Sequence, residues 1–409
     1  MDKAKVFINI KLIVHNFILN VQSLTWKRDD SIILVGSWFG NKFADNSRYL
    51  YQYLSSQKEK LGLSHVVWVT RNDKVCDTLN SMGYEAYMMN SDESIYFHKH
   101  AGWHIICNSY ENNPDIEVQY SCGAKKVQLW HGVGMKAVGG ASNLKNSDST
   151  RIKIIKKIYH ALFDNLIYKG RWKKCSVLAT SKLHALLMSK VLEIPNEQVF
   201  ISAYPRHCDC LKYTADEMKV IDRLKKSKRK VIYLPTFRSD YSKFTHPLIY
   251  EKFKTYLKDN DVLWIEKPHS ASNFDVSQLG KIKNVILLNQ EFDVNVLLNH
   301  VDAVITDYSS VAFDSIKKKI PTILYTPDLE IFANADVGFL YDYGEYFSEI
   351  ISADIDCLAK IINEVIIEKF YTVERRKLYK KLMSEFFEIE TPSYDVIWQS
   401  IKDYFEKIR

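Results

Sequence analysis

Two series of short apolar runs, each followed by a polar turn or a helical stretch, constrain this chain more than any other feature. The first reads SIILVG at 31–36, HVVWVT at 65–70, WHIICN at 103–108, KKVQLW at 125–130 and CSVLAT at 175–180. The second begins at Lys230 and reads KVIYLPTF, VLWIEKP, NVILLN, DAVITDYSS and PTILYT. Apolar runs of this length between helical stretches are the pattern of strands buried on both faces of a parallel sheet. Helices are predicted around 46–61 and 72–82, the latter ending at Gly83, and over SKLHALLMSKVL with Ser181 as N-cap. VFISAYPR at 199–206 reads as a strand running into a turn. The predicted fold class is α/β, with two Rossmann-like doubly wound domains facing a cleft fed by strand C-terminal ends.

A length of 409 residues suits two or three domains. The expected division is an amphipathic N-terminal segment at 1–30, an N-terminal Rossmann-like domain at 31–205, and a second at 206–385. A C-terminal helix at 386–409 is placed to cross back to the first domain. No repeat at solenoid periods is present.

With 46% hydrophobic and 26% charged residues, the chain has ordinary globular composition, which excludes large-scale disorder. The net charge of +7 fits an anionic substrate or a negatively charged membrane surface. No zinc-finger, helix-turn-helix or RNP-type signature accompanies it, so no nucleic acid partner is expected. Seven cysteines, of which only Cys208 and Cys210 are close, read as reduced thiols in a cytoplasmic protein.

Two segments bear on membranes. VFINIKLIVHNFILNVQSLT at 6–25 is apolar but interrupted by Asn9, Lys11, His15, Asn16 and Asn20. It is expected to be neither a transmembrane helix nor a signal peptide but an amphipathic helix, lying on a membrane or packed on the protein. Residues 151–174 hold eight basic side chains and one acidic one, with isoleucines, leucines and aromatics interleaved at near-helical spacing. That is the pattern of a membrane-surface element, or of a core-facing helix with a solvated basic face.

The chemically loaded positions fall at strand ends, where open α/β sheets place ligands. QLWHGVGMK at 128–136 ends an apolar run in His131, a side chain able to accept a proton near neutral pH. Gly132 would let backbone approach a substrate closely, and Lys136 suits a phosphate. A structural histidine at a strand end is the other reading. LPTFR at 234–238 presents Thr236 and Arg238, whose fork matches phosphate oxygens. IEKPHS at 265–270 ends in Lys267 and His269. In TDYSSVAFD at 306–314, followed by Pro321, a strand breaks into a hydroxyl-rich turn before a helix. Ser309 and Ser310 there suit either a phosphate or simple capping. No Walker A, G-x-G-x-x-G, H-E-x-x-H or G-x-S-x-G motif occurs. The Asp354–Asp356 pair follows no convincing apolar strand and carries little weight as a metal site, so no metal ligand is assigned and a divalent requirement is left open.

Together, strand-WHG-x-x-x-K, PT-aromatic-R, K-x-H and TDYSS-x-x-FD followed by Pro resemble the CDP-glycerol glycerophosphotransferases, the teichoic-acid primases and polymerases with their capsule-polymer relatives. The similarity spans roughly residues 30–385 in the expected order, and TDYSSVAFD is its most specific piece. Where members often read WHG-Thr-Pro, this chain has Val133 and Gly134. Where they read G-Y-P-R-N-D, it has Ala203, Tyr204, Pro205, Arg206, His207, Cys208 and Asp209. The resemblance implies a GT-B-like, single catalytic module, peripheral on the cytoplasmic face of the membrane, with membrane-facing basic helices near 144–174 and the nucleotide held by the C-terminal half. It implies transfer of an alditol phosphate from a CDP-alditol donor to a lipid-linked or polymer glycan acceptor, with release of CMP. Catalytic roles fall on His131, as base, and His269. The donor side comprises Thr236, Arg238, Lys267, Thr306, Asp307, Ser309 and Ser310, and the acceptor side Trp130, Gly132, Lys136 and Arg206. A homo-oligomer is compatible with this reading. A GT-B glycosyltransferase using a nucleotide sugar is the alternative, and a non-catalytic membrane scaffold a third.

Overall fold

A computed structural model describes residues 14–15, 18–19, 21–23, 25–108, 114–137, 175–236, 238, 244–268, 282–335 and 338–408. His269, the basic segment 144–174 and most of the N-terminal segment lie outside these residues. Among the described residues the chain forms two wholly parallel sheets. In the first lobe the strands are β1 (Asp29–Val35), β2 (His65–Thr70), β3 (Glu85–Met88), β4 (Ala101–Ile106), β5 (Lys125–Gln128), β6 (Ser176–Ala179) and β7 (Val199–Ile201). Their spatial order is β3-β2-β1-β4-β5-β6-β7. In the second lobe β8 (Arg229–Tyr233), β9 (Val262–Glu266), β10 (Val285–Leu287), β11 (Ala303–Thr306), β12 (Thr322–Tyr325) and β13 (Ile351–Ser352) are arranged β10-β9-β8-β11-β12-β13.

Burial explains why the apolar runs became strands. Every residue of β4, β6, β9, β11 and β12 is buried, as a sheet covered on both faces requires. Trp68 and Trp264 sit fully buried at equivalent depth in the two lobes. Two of the four edge strands leave no mark in the sequence, EAYM of β3, only partly buried, and β13, two residues long, whereas the edge strands β7 and β10 fall within the predicted runs VFISAYPR and NVILLN. The helix Asp92–His100 was also unforeseen, and the helix expected over 46–61 is the shorter Asp45–Ser56. Ser181 caps its helix as expected, accepting a hydrogen bond from the His184 N–H. Asp354 is likewise an N-cap, accepting from the Cys357 N–H.

The strand order reverses at β1/β4 in the first sheet and at β8/β11 in the second. Crevices open beyond the carboxyl ends of strands at such switch points. The turns leaving β1, β8 and β11 therefore meet in the space between the lobes. After β7 the chain enters the second lobe through Pro205–His207 and the helix Ala215–Lys225. The helix Val373–Phe386 packs on both Lys182–Leu192 and Val311–Lys317. The last helix, Tyr394–Lys407, returns to the first sheet. There Trp398 tilts against Trp103 and Phe405 meets it edge to face, with ring centroids 5.1 and 5.3 Å apart, and Tyr404 stacks on Phe200 at 5.0 Å. Trp103, Trp398 and Phe200 are buried there, and a large side chain so covered is worth roughly 1.5–3 kcal/mol. Among the described residues no helix is long and apolar enough to cross a membrane.

Candidate active site

The segment after β5 is one of the places where the two lobes touch. Trp130 adopts a left-handed backbone (φ 59°) and Gly132 a φ of 140°, a turn that brings the chain at Gly132 up against the second lobe. A Cβ on Gly132 would lie 2.5 Å from the Ser310 hydroxyl oxygen and 2.9 Å from an Arg206 guanidinium nitrogen. Only glycine fits this conformation and this space. Beyond it the chain docks on the second lobe: the Leu340 N–H donates to the Met135 carbonyl, the Ala137 N–H to the Gly338 carbonyl, and the Tyr341 hydroxyl to the Gly134 carbonyl. Lys136 forms a bridge with Phe339. The imidazole-bearing strand end and the TDYSS turn are thus in van der Waals contact.

His131 is braced rather than free to swing. Its ring lies 4.3 Å from the Trp130 ring and 6.0 Å from that of Trp38. The Trp130 carbonyl accepts from the Asn46 side-chain amide at 2.8 Å, and the His131 carbonyl from Arg206 at 3.0 Å. Burial, with the Arg206 cation nearby, pushes the imidazole down to about 4. It is therefore neutral at physiological pH, the form that can take a proton. Its Nδ1 is buried without a hydrogen-bond partner in the protein. Such an orphan is costly unless a ligand completes it.

Three expected ligand groups have other duties. Arg206 was expected on the acceptor side, but its guanidinium bonds both oxygens of Asp314 (2.9 and 2.7 Å) and also Asp45 (2.5 Å). It is a buried tie between helix starts of the two lobes. Burial alone would raise the Asp314 carboxyl, yet Arg206 and His207 outweigh that and hold it below the usual range. Arg238 was expected on the donor phosphates. It grips Asp328 through two nitrogens and pairs with Asp307 at 2.9 Å. Trp130, expected to face the acceptor, is 6% exposed and belongs to the core.

The remaining residues assemble the turn over β8 and β11. Asp307 accepts the Thr236 and Tyr308 N–H groups, which fixes the two strand-end loops against each other. Thr306 is buried, its hydroxyl donating to the Leu234 carbonyl, so it buttresses the loop. The Thr236 hydroxyl oxygen is a second buried orphan. Ser310 makes no side-chain cap and faces Gly132 instead. The following helix, Val311–Lys317, has seven residues, so the hydroxyls rather than a long helix dipole are what this turn offers an anion. Lys267 reaches the Phe292 carbonyl at 2.6 Å, and burial together with Lys42 pushes its ammonium down to about 8.

Sequence reading missed the residues supplied by helix starts and turns: Trp38, Lys42, Asp45, Asn46 and Asp328. No apolar run ending in a chemical group announces them. Asp115, buried and raised to about 7 by burial, accepts the N–H groups of Phe39, Cys107 and Asn108 and so holds the left-handed Trp38–Phe39 turn in place. Among the described residues no group of three or more His, Cys, Asp or Glu is placed to hold a metal ion.

The profile of one protein family, "CDP-Glycerol:Poly(glycerophosphate) glycerophosphotransferase", matches residues 18–390. Similar curated proteins include a teichoic acid glycerol-phosphate transferase of Staphylococcus aureus, 22% identical and covering 91% of this chain and 94% of that one. A teichoic acid poly(glycerol phosphate) polymerase of Bacillus spizizenii is 23% identical over 77% of this chain and 79% of its own. The fold is that of the solved wall teichoic acid polymerase TagF, with a TM-score of 0.68 at 20% identity over 100% of both chains.

Proposed function

Because this chain belongs to the CDP-glycerol:poly(glycerophosphate) glycerophosphotransferase family, we propose that it moves a glycerol-phosphate or ribitol-phosphate unit from a CDP-alditol to a hydroxyl of a membrane-linked glycan or polymer, in teichoic-acid-like or capsule polymer synthesis. The observation that carries the site is the contact of Gly132 with Ser310, which brings the residue next to a neutral histidine against a hydroxyl-lined turn.

In this reading the acceptor hydroxyl attacks the phosphorus that bears the alditol. A new P–O bond forms, the bond to the CMP oxygen breaks, and the hydroxyl proton passes to the His131 imidazole. Phosphoryl transfer needs an in-line nucleophile and neutralised phosphate oxygens more than covalent help. Ser309, Ser310, Thr236 and Lys267 supply donors. Arg238 acts through Asp307 and Asp328 to hold the loops. His269 joins the donor side on motif resemblance alone, and Lys136 the acceptor side by its position on the docking strand. The basic segment 144–174 and the N-terminal segment attach the enzyme to the inner face of the membrane through anionic lipid.

One assay tests the reading. Purified protein is given CDP-glycerol, CDP-ribitol or UDP-sugars, with acceptor presented in anionic vesicles. The expected result is CMP release from a CDP-alditol and co-sedimentation with vesicles that salt weakens. UDP release with no CMP would replace the phosphotransferase by a glycosyltransferase, and CMP release without vesicle binding would remove the membrane attachment.

A further inference from the structure

A cavity of about 200 Å³ lies between the lobes, bounded by Trp38, Lys42 and Asp45 of the first and by Pro235, Lys267 and Ser309 of the second. Whole-ligand pockets are about 300–1,000 Å³, so this space suits a part of a donor rather than all of it. His131 is not on its wall but stands behind Trp38, which both touch.

Two ammonium groups enter this cavity from opposite lobes. Lys42 crosses the cleft from the first lobe to the Gln290 carbonyl of the second at 2.9 Å, passing 5.5 Å from the Trp38 ring centroid. Lys267 comes from the end of β9 and holds the Phe292 carbonyl at 2.6 Å. Each is thus held by an uncharged oxygen, and among the described residues neither forms an ion pair. Of the carboxylates nearby, Glu291 draws on Lys42 by charge alone, and the other two are already engaged. Asp45 accepts from the Trp38 indole, the Asn46 N–H and Arg206. Asp293 accepts from the Asp45 N–H and from Asn295. Burial lowers both lysines, and the charge of Lys42 lowers Lys267 further. Two half-buried cations facing one space are relieved by an anion placed between them.

We infer that Lys42 and Lys267 form a clamp for the diphosphate of the donor, with Lys42 the first lobe's own contribution to a group otherwise held by the second. The inference rests on the proposed CDP-alditol reaction and extends it. Donor binding draws the lobes together, because one anion bonds both. It also assigns a function to a residue that no strand end announces.

The test compares wild type with Lys42→Gln and Lys42→Arg. It measures KM and kcat for CDP-glycerol and the inhibition constant of inorganic pyrophosphate. Loss of one charge-assisted hydrogen bond should raise donor KM and weaken pyrophosphate inhibition by about 10-fold each. The fall in kcat should be smaller, and arginine should restore most of both losses. Unchanged KM and unchanged pyrophosphate inhibition in folded Lys42→Gln would overturn the clamp while leaving the reaction standing. If wild type turns over no CDP-alditol, calorimetric titration with pyrophosphate decides alone: weaker binding to Lys42→Gln upholds the anion site without the reaction, and equal binding ends it.

Discussion

Arg206 and Arg238 look alike in the sequence, each following a proline-bearing turn at a strand end, and each was expected to meet a ligand. The structure gives both to carboxylates, but in different places. Arg238 works inside the second lobe, joining Asp307 and Asp328 beneath the β8 and β11 turns. Arg206 works between lobes, joining Asp45 and Asp314 and holding the His131 carbonyl. The difference teaches where binding capacity remains. Guanidinium groups saturated by acids are scaffold. Unfilled valence sits instead on His131 Nδ1 and the Thr236 hydroxyl, and weakly held charge sits on two lysines.

Removing Arg206 is the harshest way to press this contrast. Arg206→Ala strands two buried carboxylates, which costs about 3–5 kcal/mol. Urea denaturation should show that loss, whereas a loss below about 1 kcal/mol would show that the tie between the lobes is dispensable. His131→Ala comes next, and it separates scaffold from chemistry. The folded variant should lose at least about 100-fold in turnover, the size of a general-base contribution, with little change in its unfolding midpoint. Near-normal turnover would refute the base role.

The mildest test sharpens the same line through pH. The imidazole is held near 4 and the Lys267 ammonium near 8. Above the first value His131 is neutral and able to accept a proton; above the second Lys267 loses its charge and its hold on an anion. Because kcat/KM reports the free enzyme, it should stay level from about pH 5 to 7.5 and fall above about 8. Lys42, Asp45 and Asp293 set the field around that lysine. An acid limb at the ordinary histidine value near 6.5 would mean the ring is solvated in the working enzyme.

What the sequence made legible follows from burial. Central strands are covered on both faces, so HVVWVT could be read to its ends as β2, and DAVIT led directly to β11. Edge strands β3 and β13 lacked that continuous pressure and left no such mark. In the site, His131, Asp307, Ser309 and Ser310 were legible because an apolar run delivers them. Arg206 was visible as a residue but not as a contact, since its partner Asp314 lies 108 positions away and only folding brings them together. Lys42, Asp45 and Asp328 begin or precede helices in polar surroundings, where a charged residue is ordinary.

The return of the helix Tyr394–Lys407 to the first sheet has a practical meaning for dissection. A fragment ending near residue 210 would leave the aromatic faces of Trp103 and Phe200 bare, and the remaining piece would carry an orphaned amphipathic tail. Chimeras exchanging donor preference between relatives should therefore take their final segment from the parent that supplies the first two hundred residues, making two splice points rather than one.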